Sequence, residues 1–430
     1  MKRYESYKDS GVDWLGEIPE GWETARAKNH FVQSFEKGNN TLMLLSATQS
    51  DGVVPKENLE GVVQVKEDTD LSIFKSVHAG DFVISLRSFQ GGFEMSEYEG
   101  VITPAYTVFR RKYQICHNFY KKLFKQEAFI EKINSLTVGI REGKNILFTD
   151  FANMILPIPP LSTQQAIANY LDLITVQIDT IIADKKMLIE RLKEKRQIII
   201  SNAVTKGLNK NVPMKDSGVL WIGEIPVGWE VRKIKYLCHV KRGASPRPID
   251  DPIYFDDNGK RYWVRISDVT NSKMHLTSAE QKLSDLGIKN SVKVNTGQLF
   301  ISICASVGKP CIAGIDVCIH DGFVLMDKLP QSMIKYLYYI FESELPYKGL
   351  GKLGTQLNLN ANTIANIYIP INDNVQKIVE MIDHKTAKID NLIADVAEQI
   401  QKLNEYRKIL VSEVVTGKVK IEDNTEGGLS

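Results

Sequence analysis

The residues best suited to chemical contacts in this sequence are basic and lie in its second half. Lys241-Arg242-Gly243-Ala244-Ser245-Pro246-Arg247 places cationic side chains on either side of a glycine, and Lys260-Arg261 with Arg265 forms a second group. A Gly-containing loop flanked by Arg suits close approach to phosphate oxygens. Groups for covalent or metal chemistry are missing. Cys304, Cys311 and Cys318 fall seven apart with no C-x-x-C pair, unlike zinc ligands, and read as buried free thiols. Gly143-Lys144 and Gly308-Lys309 lack the spacing and the Ser/Thr of a phosphate loop. The seven histidines form no H-E-x-x-H, and no nucleophile elbow occurs. Pro159-Pro160 lacks the Asn/Asp-Pro-Pro-aromatic form with which an amino-methyltransferase grips its base. The sequence predicts a non-catalytic protein with no cofactor or metal of its own.

Composition bounds the alternatives. The 430 residues are 43% apolar and 25% charged, which excludes a disordered or collagen-like chain. Basic residues outnumber acidic ones by only 54 to 52, so no global charge announces a partner. No apolar run approaches the ~18 residues of a membrane span, and MKRYESYKDS has no apolar core of a secretion signal. The odd count of five cysteines suits a reducing compartment. A cytoplasmic protein of two to four compact units, at roughly 150 residues each, is expected.

The elements that must position the basic loops form a repeat. Residues 8–24, KDSGVDWLGEIPEGWET, match residues 215–231, KDSGVLWIGEIPVGWEV, at thirteen of seventeen positions and an offset of 207. A second pair, residues 156–208 and 367–419, aligns at an offset of 211 without a gap: Pro159 with Pro370, Asp172 with Asp383, Ile178-Asp179 with Ile389-Asp390. Between the matched blocks, residues 25–155 and 232–366 share only echoes such as Gly80-Asp81-Phe82 and Gly297-Gln298-Leu299. Two similar frames therefore hold different inserts.

Within the second repeated block apolar residues step by four and three. The seam runs through Ile167, Leu171, Ile174, Ile178, Ile181, Leu188, Leu192 and Ile199, with its copy through Ile378, Ile382, Ile389, Leu392, Val396, Leu403, Tyr406 and Leu410. That spacing predicts heptad helices that pair antiparallel, with Lys185, Lys195, Lys385 and Gln399 as polar positions fixing register. Ser162-Thr163 and Asp373-Asn374 are predicted caps, and Thr-Lys-Gly and Thr-Gly-Lys are predicted stops. Ile167 to Ile199 is 33 residues, about 48 Å of helix, enough to hold two inserts up to roughly 14 base pairs apart. One turn of DNA, ~34–36 Å, falls inside that limit.

Each insert reads as an α+β domain. Strand-like runs occur at Thr41–Leu45, Asp81–Leu86 and Tyr106–Arg110, then a helix over His117–Ile133; the second has Tyr262–Ile266, Leu299–Cys304, Phe323–Met326 and a helix near Ser332–Glu342. The second insert carries 18 basic and 12 acidic residues, the first 16 and 15.

These residues carry a family resemblance. The block Tyr7–Glu23, its copy Lys215–Glu230, and Ile158-Pro159-Pro160-Leu161 with Gln164-Gln165 ahead of a heptad helix resemble the specificity subunits of type I restriction–modification systems. The resemblance implies two α+β target recognition domains, separated by two long helices forming an antiparallel coiled coil, in a pseudo-two-fold internal repeat. It divides the chain into a repeat segment at 1–24, recognition domains at 25–158 and 232–369, helices at 159–208 and 370–420, a linker at 209–231 and a tail at 421–430. Each recognition domain reads half of a bipartite site in double-stranded DNA, and the helices set the spacer and dock two methyltransferase subunits. S-adenosylmethionine, ATP and Mg belong to partner subunits, which include restriction translocase/nuclease subunits; no membrane is involved. The second helix departs from the pattern, opening Ile369-Pro370-Ile371-Asn372 without Pro-Pro-Leu and with only Gln376 of the paired glutamines.

By the same resemblance Lys241, Arg242, Ser245 and Arg247, with Arg265, are DNA-contacting candidates, as are Thr355 and Gln356 before the second helix. In the first insert the corresponding residues are Arg87, Gln90, Arg141 and Lys144. Arg pairs bidentately with guanine and Gln with adenine. The competing reading is a coiled-coil adaptor whose inserts bind proteins.

Overall fold

The computed structural model describes residues 2–48, 52–59, 70–84, 92–136, 146–209, 211–348 and 359–421. Arg87, Gln90, Arg141, Lys144, Thr355 and Gln356 lie outside them. The chain forms two compact units, Met1–Lys185 with Glu398–Ser430, and Lys186–Ala397. The division falls inside two long helices, α1 (Leu161–Lys206) and α2 (Val375–Val415).

The repeated opening block closes a helix end in each unit. In the first unit Tyr7–Asp9 pairs with Glu17–Pro19, and Trp22 is buried. Gly417, just past α2, has φ +77°, and a Cβ there would lie 2.5 Å from Pro19 and 3.0 Å from Trp22. In the second unit Met214–Asp216 pairs with Glu224–Pro226. Gly207, just past α1, has φ +74°, and a Cβ there would lie 2.8 Å from Trp229. Left-handed glycines end the helices, as the stop signals predict.

The inward face of each helix differs from a strict heptad. Ile167, Leu171, Ile178 and Ile182 are buried on α1, and Ile378, Ile382, Ile389 and Val396 on α2. Ile181 and Leu188 stand outward at 44% exposure, as do Leu392 and Tyr406 at 50% and 44%. Leu192 and Leu403 are half-buried. The seam recurs close to the helix's own 3.6-residue repeat, so Ile182 and Ile189 replace Ile181 and Leu188. Within the first unit Lys185 Nζ donates to Gln399 Oε1 at 2.6 Å, and Arg407 pairs with Asp179, so the helix segments run antiparallel there. Lys195 and Lys385 are exposed and hold no seam position.

Other expectations change in detail. Ser162 and Thr163 lie within the first turn of α1, where the Pro160 carbonyl accepts the Gln164 amide. The buried Gln164 side chain instead accepts the Cys116 amide at 3.0 Å and donates to the Pro159 carbonyl at 2.8 Å. A stretch of α1 is long and apolar enough by composition to cross a membrane, which corrects the reading that no run approaches one. The same helix carries Asp172 and Asp179, and each is ion-paired, with Lys122 and Arg407 respectively.

Both inserts contain a sheet of the same strand order. Strands β1 (Phe31–Ser34), β2 (Phe82–Ile84), β3 (Phe93–Met95) and β4 (Thr107–Arg111) form a sheet in the order β1-β4-β2-β3. Strands β5 (His239–Arg242), β6 (Leu299–Ser302), β7 (Pro310–Ala313) and β8 (Phe323–Asp327) repeat it as β5-β8-β6-β7, extended by His275–Leu276. A two-stranded ladder closes the base of each insert: Glu23–Arg26 with Ile155–Ile158, and Glu230–Lys233 with Tyr368–Ile371.

The cores differ in chemistry. Phe31, Phe82, Phe93, Phe109, Phe124 and Phe151 fill the first, whereas Leu299, Ile301, Val324, Met326, Tyr336 and Tyr339 fill the second. The helix expected over His117–Ile133 is two, His117–Leu123 and Glu127–Leu136, because the break lets Phe124 and Phe129 both enter the core with ring centroids 5.0 Å apart. The strand expected at Thr41–Leu45 begins at Leu45; Asn39 Oδ1 accepts from the Thr41 amide and hydroxyl and holds a turn before it.

Candidate nucleic-acid interface

The basic loop of the second insert leaves the edge of its sheet directly after β5. Lys241 and Arg242 are exposed on that strand, which pairs antiparallel with β8. The turn that follows needs glycine: a Cβ on Gly243 would sit 1.9 Å from the His320 carbonyl oxygen. The Gly243 amide donates to the Phe323 carbonyl at 2.8 Å and Ala244 to Ile319 at 3.2 Å. The loop is thereby stitched to the turn between Val317–Ile319 and β8.

One carboxylate in that turn organises the loop. Ser245 Oγ donates to Asp321 Oδ1 at 2.8 Å, Arg247 pairs with Oδ2 at 3.3 Å, and Arg242 Nε donates to the Asp321 carbonyl at 3.1 Å. The Ser245 hydrogen bond, aided by the charge of Arg247, holds the Asp321 carboxyl below its ordinary range. A single residue thus orients two guanidiniums while leaving Arg247 exposed to solvent. The structure brings Arg242, Ser245 and Arg247 together around a residue that sequence reasoning missed. The Asp321-Gly322 turn between two apolar runs was the available signal.

Arg265 begins the short helix Ile266–Asn271, with its amide donating to Asp268 at 2.8 Å and its guanidinium 3.2 Å from Glu280. It lines a cleft of roughly 760 Å³ shared with Phe255, Trp263, Gln281, His320 and three aspartates, Asp250, Asp256 and Asp257. By contrast Arg261 is committed to the fold, donating to the Val294 and Val317 carbonyls and to Asn295.

In the first insert an arginine on the interior strand β4 is held by two carboxylates. Arg110 pairs with Glu36 at 2.9 Å and Asp81 at 3.0 Å, and His78 lies 3.1 Å from Glu36. Arg110 and His78 hold the Glu36 carboxyl low, whereas burial raises that of Asp81. Among the described residues no group of three or more His, Cys, Asp or Glu could hold a metal ion. Burial raises the thiols of Cys238 to about 12 and Cys318 to about 11, which disfavours thiolate chemistry.

A family model described as the type I restriction modification DNA specificity domain matches twice, at residues 22–191 and 226–402. The chain belongs to that family. This specificity-domain chain is 23% identical to the type I restriction enzyme MjaVIII specificity subunit of Methanocaldococcus jannaschii, over 94% of this chain and 95% of that one. It is 20% identical to the EcoBI specificity subunit of Escherichia coli, over 73% and 69% of the two chains. A chain from a structure of type I restriction–modification complex assembly and conformational transition superposes with a TM-score of 0.70 at 15% identity, covering 94% and 99%. The HsdS subunit of Thermoanaerobacter tengcongensis gives 0.54 at 15% identity, covering 94% and 98%. At that identity the likeness establishes the fold: two α+β specificity domains with long helices.

Proposed function

We propose that this chain is the DNA sequence-specificity subunit of a type I restriction–modification complex, with each insert reading one half of a bipartite site. The observation that carries the reading is one sheet order built twice on similar frames, with different loops leaving the sheets. A protein selecting two unlike half-sites needs that combination of constant support and unlike surface. The long helices set the spacer and dock two methyltransferase subunits; restriction subunits complete the assembly in the cytoplasm. The chain itself is non-catalytic, with S-adenosylmethionine, ATP and Mg belonging to its partners.

The basic loop 241–247 supplies phosphate contacts that fix orientation, and the cleft beside it supplies base contacts. Long-read mapping of adenine methylation in a host supplying the methyltransferase, with and without this gene, tests the reading. Loss of one bipartite motif on deletion is the expected result. An unchanged methylome with an active methyltransferase would overturn it.

A further inference from the structure

We propose that His320, together with Arg265, is a base-reading residue of the second recognition domain and selects a guanine in its half-site. The inference rests on the DNA-reading role proposed above and extends it to a residue that neither the basic loop nor the sequence motifs single out.

The imidazole is held on two sides. Its ring centroid lies 4.7 Å from that of Phe323 and 5.8 Å from that of Trp263, so its plane is fixed between two aromatic side chains. Its Nδ1 accepts the Gly322 amide at 2.9 Å. A nitrogen that accepts carries no proton, so Nε2 carries it. Burial lowers the imidazole's affinity for a second proton, which keeps this neutral tautomer at ordinary pH. His320 therefore offers one fixed donor on a rigid ring, and it lines the cleft with Arg265.

Placement gives that donor a role. The next residue, Asp321, is the anchor of the basic loop, so docking of the loop on phosphates and presentation of His320 are set by one turn. Of the four bases only guanine shows two acceptors and no donor on its major-groove edge, N7 and O6, and donors from Arg265 and His320 match that pair. The aspartates Asp250, Asp256 and Asp257 on the cleft wall are acceptors, as the N4 amino group of the paired cytosine requires.

The test uses full-length protein co-expressed with its methyltransferase, and reads the methylated motif. His320→Asn places an amide oxygen where Nδ1 stood, preserving the bond to Gly322, and removes the Nε2 donor. Expected is a bipartite motif in which one guanine of one half-site becomes degenerate, with discrimination there falling roughly five- to a hundredfold while the other half-site stays intact. Arg265→Gln should relax the same position and no other. His320→Gln, which keeps a donor near Nε2 but abandons Gly322, should retain guanine preference at lower overall affinity. An unchanged motif in folded His320→Asn protein would overturn the proposal while leaving the DNA-reading role intact. Uniform weakening at every position would do the same, because it would make the residue structural. Absence of any bipartite motif for the unaltered protein would instead remove the reading on which the proposal rests.

Discussion

Arg196 Nε lies 2.9 Å from Asp390 Oδ1, joining α1 to α2 in the second unit. The residues 211 positions away from each make the same pair in the first unit, Arg407 with Asp179 at 2.5 Å. In one unit the Arg comes from α1 and in the other from α2. The repeat thus specifies the helix pairing reciprocally, each copy providing both a cation and an anion.

The two pairs differ in what removal would expose. Arg196 also lies 3.3 Å from Glu342, whose carboxyl is already raised by burial, and both side chains are about four-fifths buried. Arg196→Ala leaves that carboxylate without its cation and should lower unfolding free energy by about 3 kcal/mol. Arg407→Ala should cost at most about 1 kcal/mol, because Asp179 is largely exposed. Urea denaturation separates them, and equal losses would refute the ordering.

Gly417→Ala should destabilise more than Gly297→Ala. Both glycines have positive φ, but a Cβ on Gly297 meets nothing within 4 Å, whereas on Gly417 it collides with Pro19 and Trp22. Backbone strain alone is roughly 1 kcal/mol, and the collision adds to it. Thermal melting of both variants gives the comparison.

Replacing Lys241 or Arg247 by Ala should weaken DNA binding nearly equally for all sequences. The slope of log affinity against log salt should fall by about one for each phosphate left without its cation. Fluorescence anisotropy across a salt series measures it, and a change in sequence preference would contradict the assignment to phosphates.

The Asp321 anchor should be insensitive to pH over the physiological range. Its folded carboxyl titrates below the ordinary value, so its contribution is fully present above about pH 4 and is lost as pH falls through the lower folded value. Following the carboxyl resonance of Asp321 by NMR during acid titration tests this, and a midpoint at or above the ordinary value would refute it.

The frame was legible in the sequence because its residues are held by geometry that tolerates few substitutes: glycines at positive φ and tryptophans packed on helix ends. The shared sheet order of the inserts was legible only as the echo between Gly80-Asp81-Phe82 and Gly297-Gln298-Leu299. Phe82 and Ile84 in one insert answer to Leu299 and Ile301 in the other, and a strand accepts any of them where both faces are buried. The seam was legible to within one residue. Ile181-Ile182 and Leu188-Ile189 are adjacent apolar pairs, so the heptad count could not choose between members, and packing chose Ile182 and Ile189. Asp321 and His320 escaped notice because their importance comes from the loop folded over them, some 75 residues earlier in the chain.

The ladder at the base of each insert has an evolutionary consequence. Its registered pairs, such as Ala25 with Leu156 and Arg232 with Ile369, bring the points where the chain departs and returns side by side. Whatever folds between those points behaves toward the rest of the protein as a closed loop, whose entropic cost grows only by about 0.6 kcal/mol for each doubling of length. An insert exchanged whole by recombination would therefore meet the rest of the chain at one fixed ladder, and would have to supply again only the side chains that reach the helices, as Lys122 reaches Asp172 and Glu342 reaches Arg196.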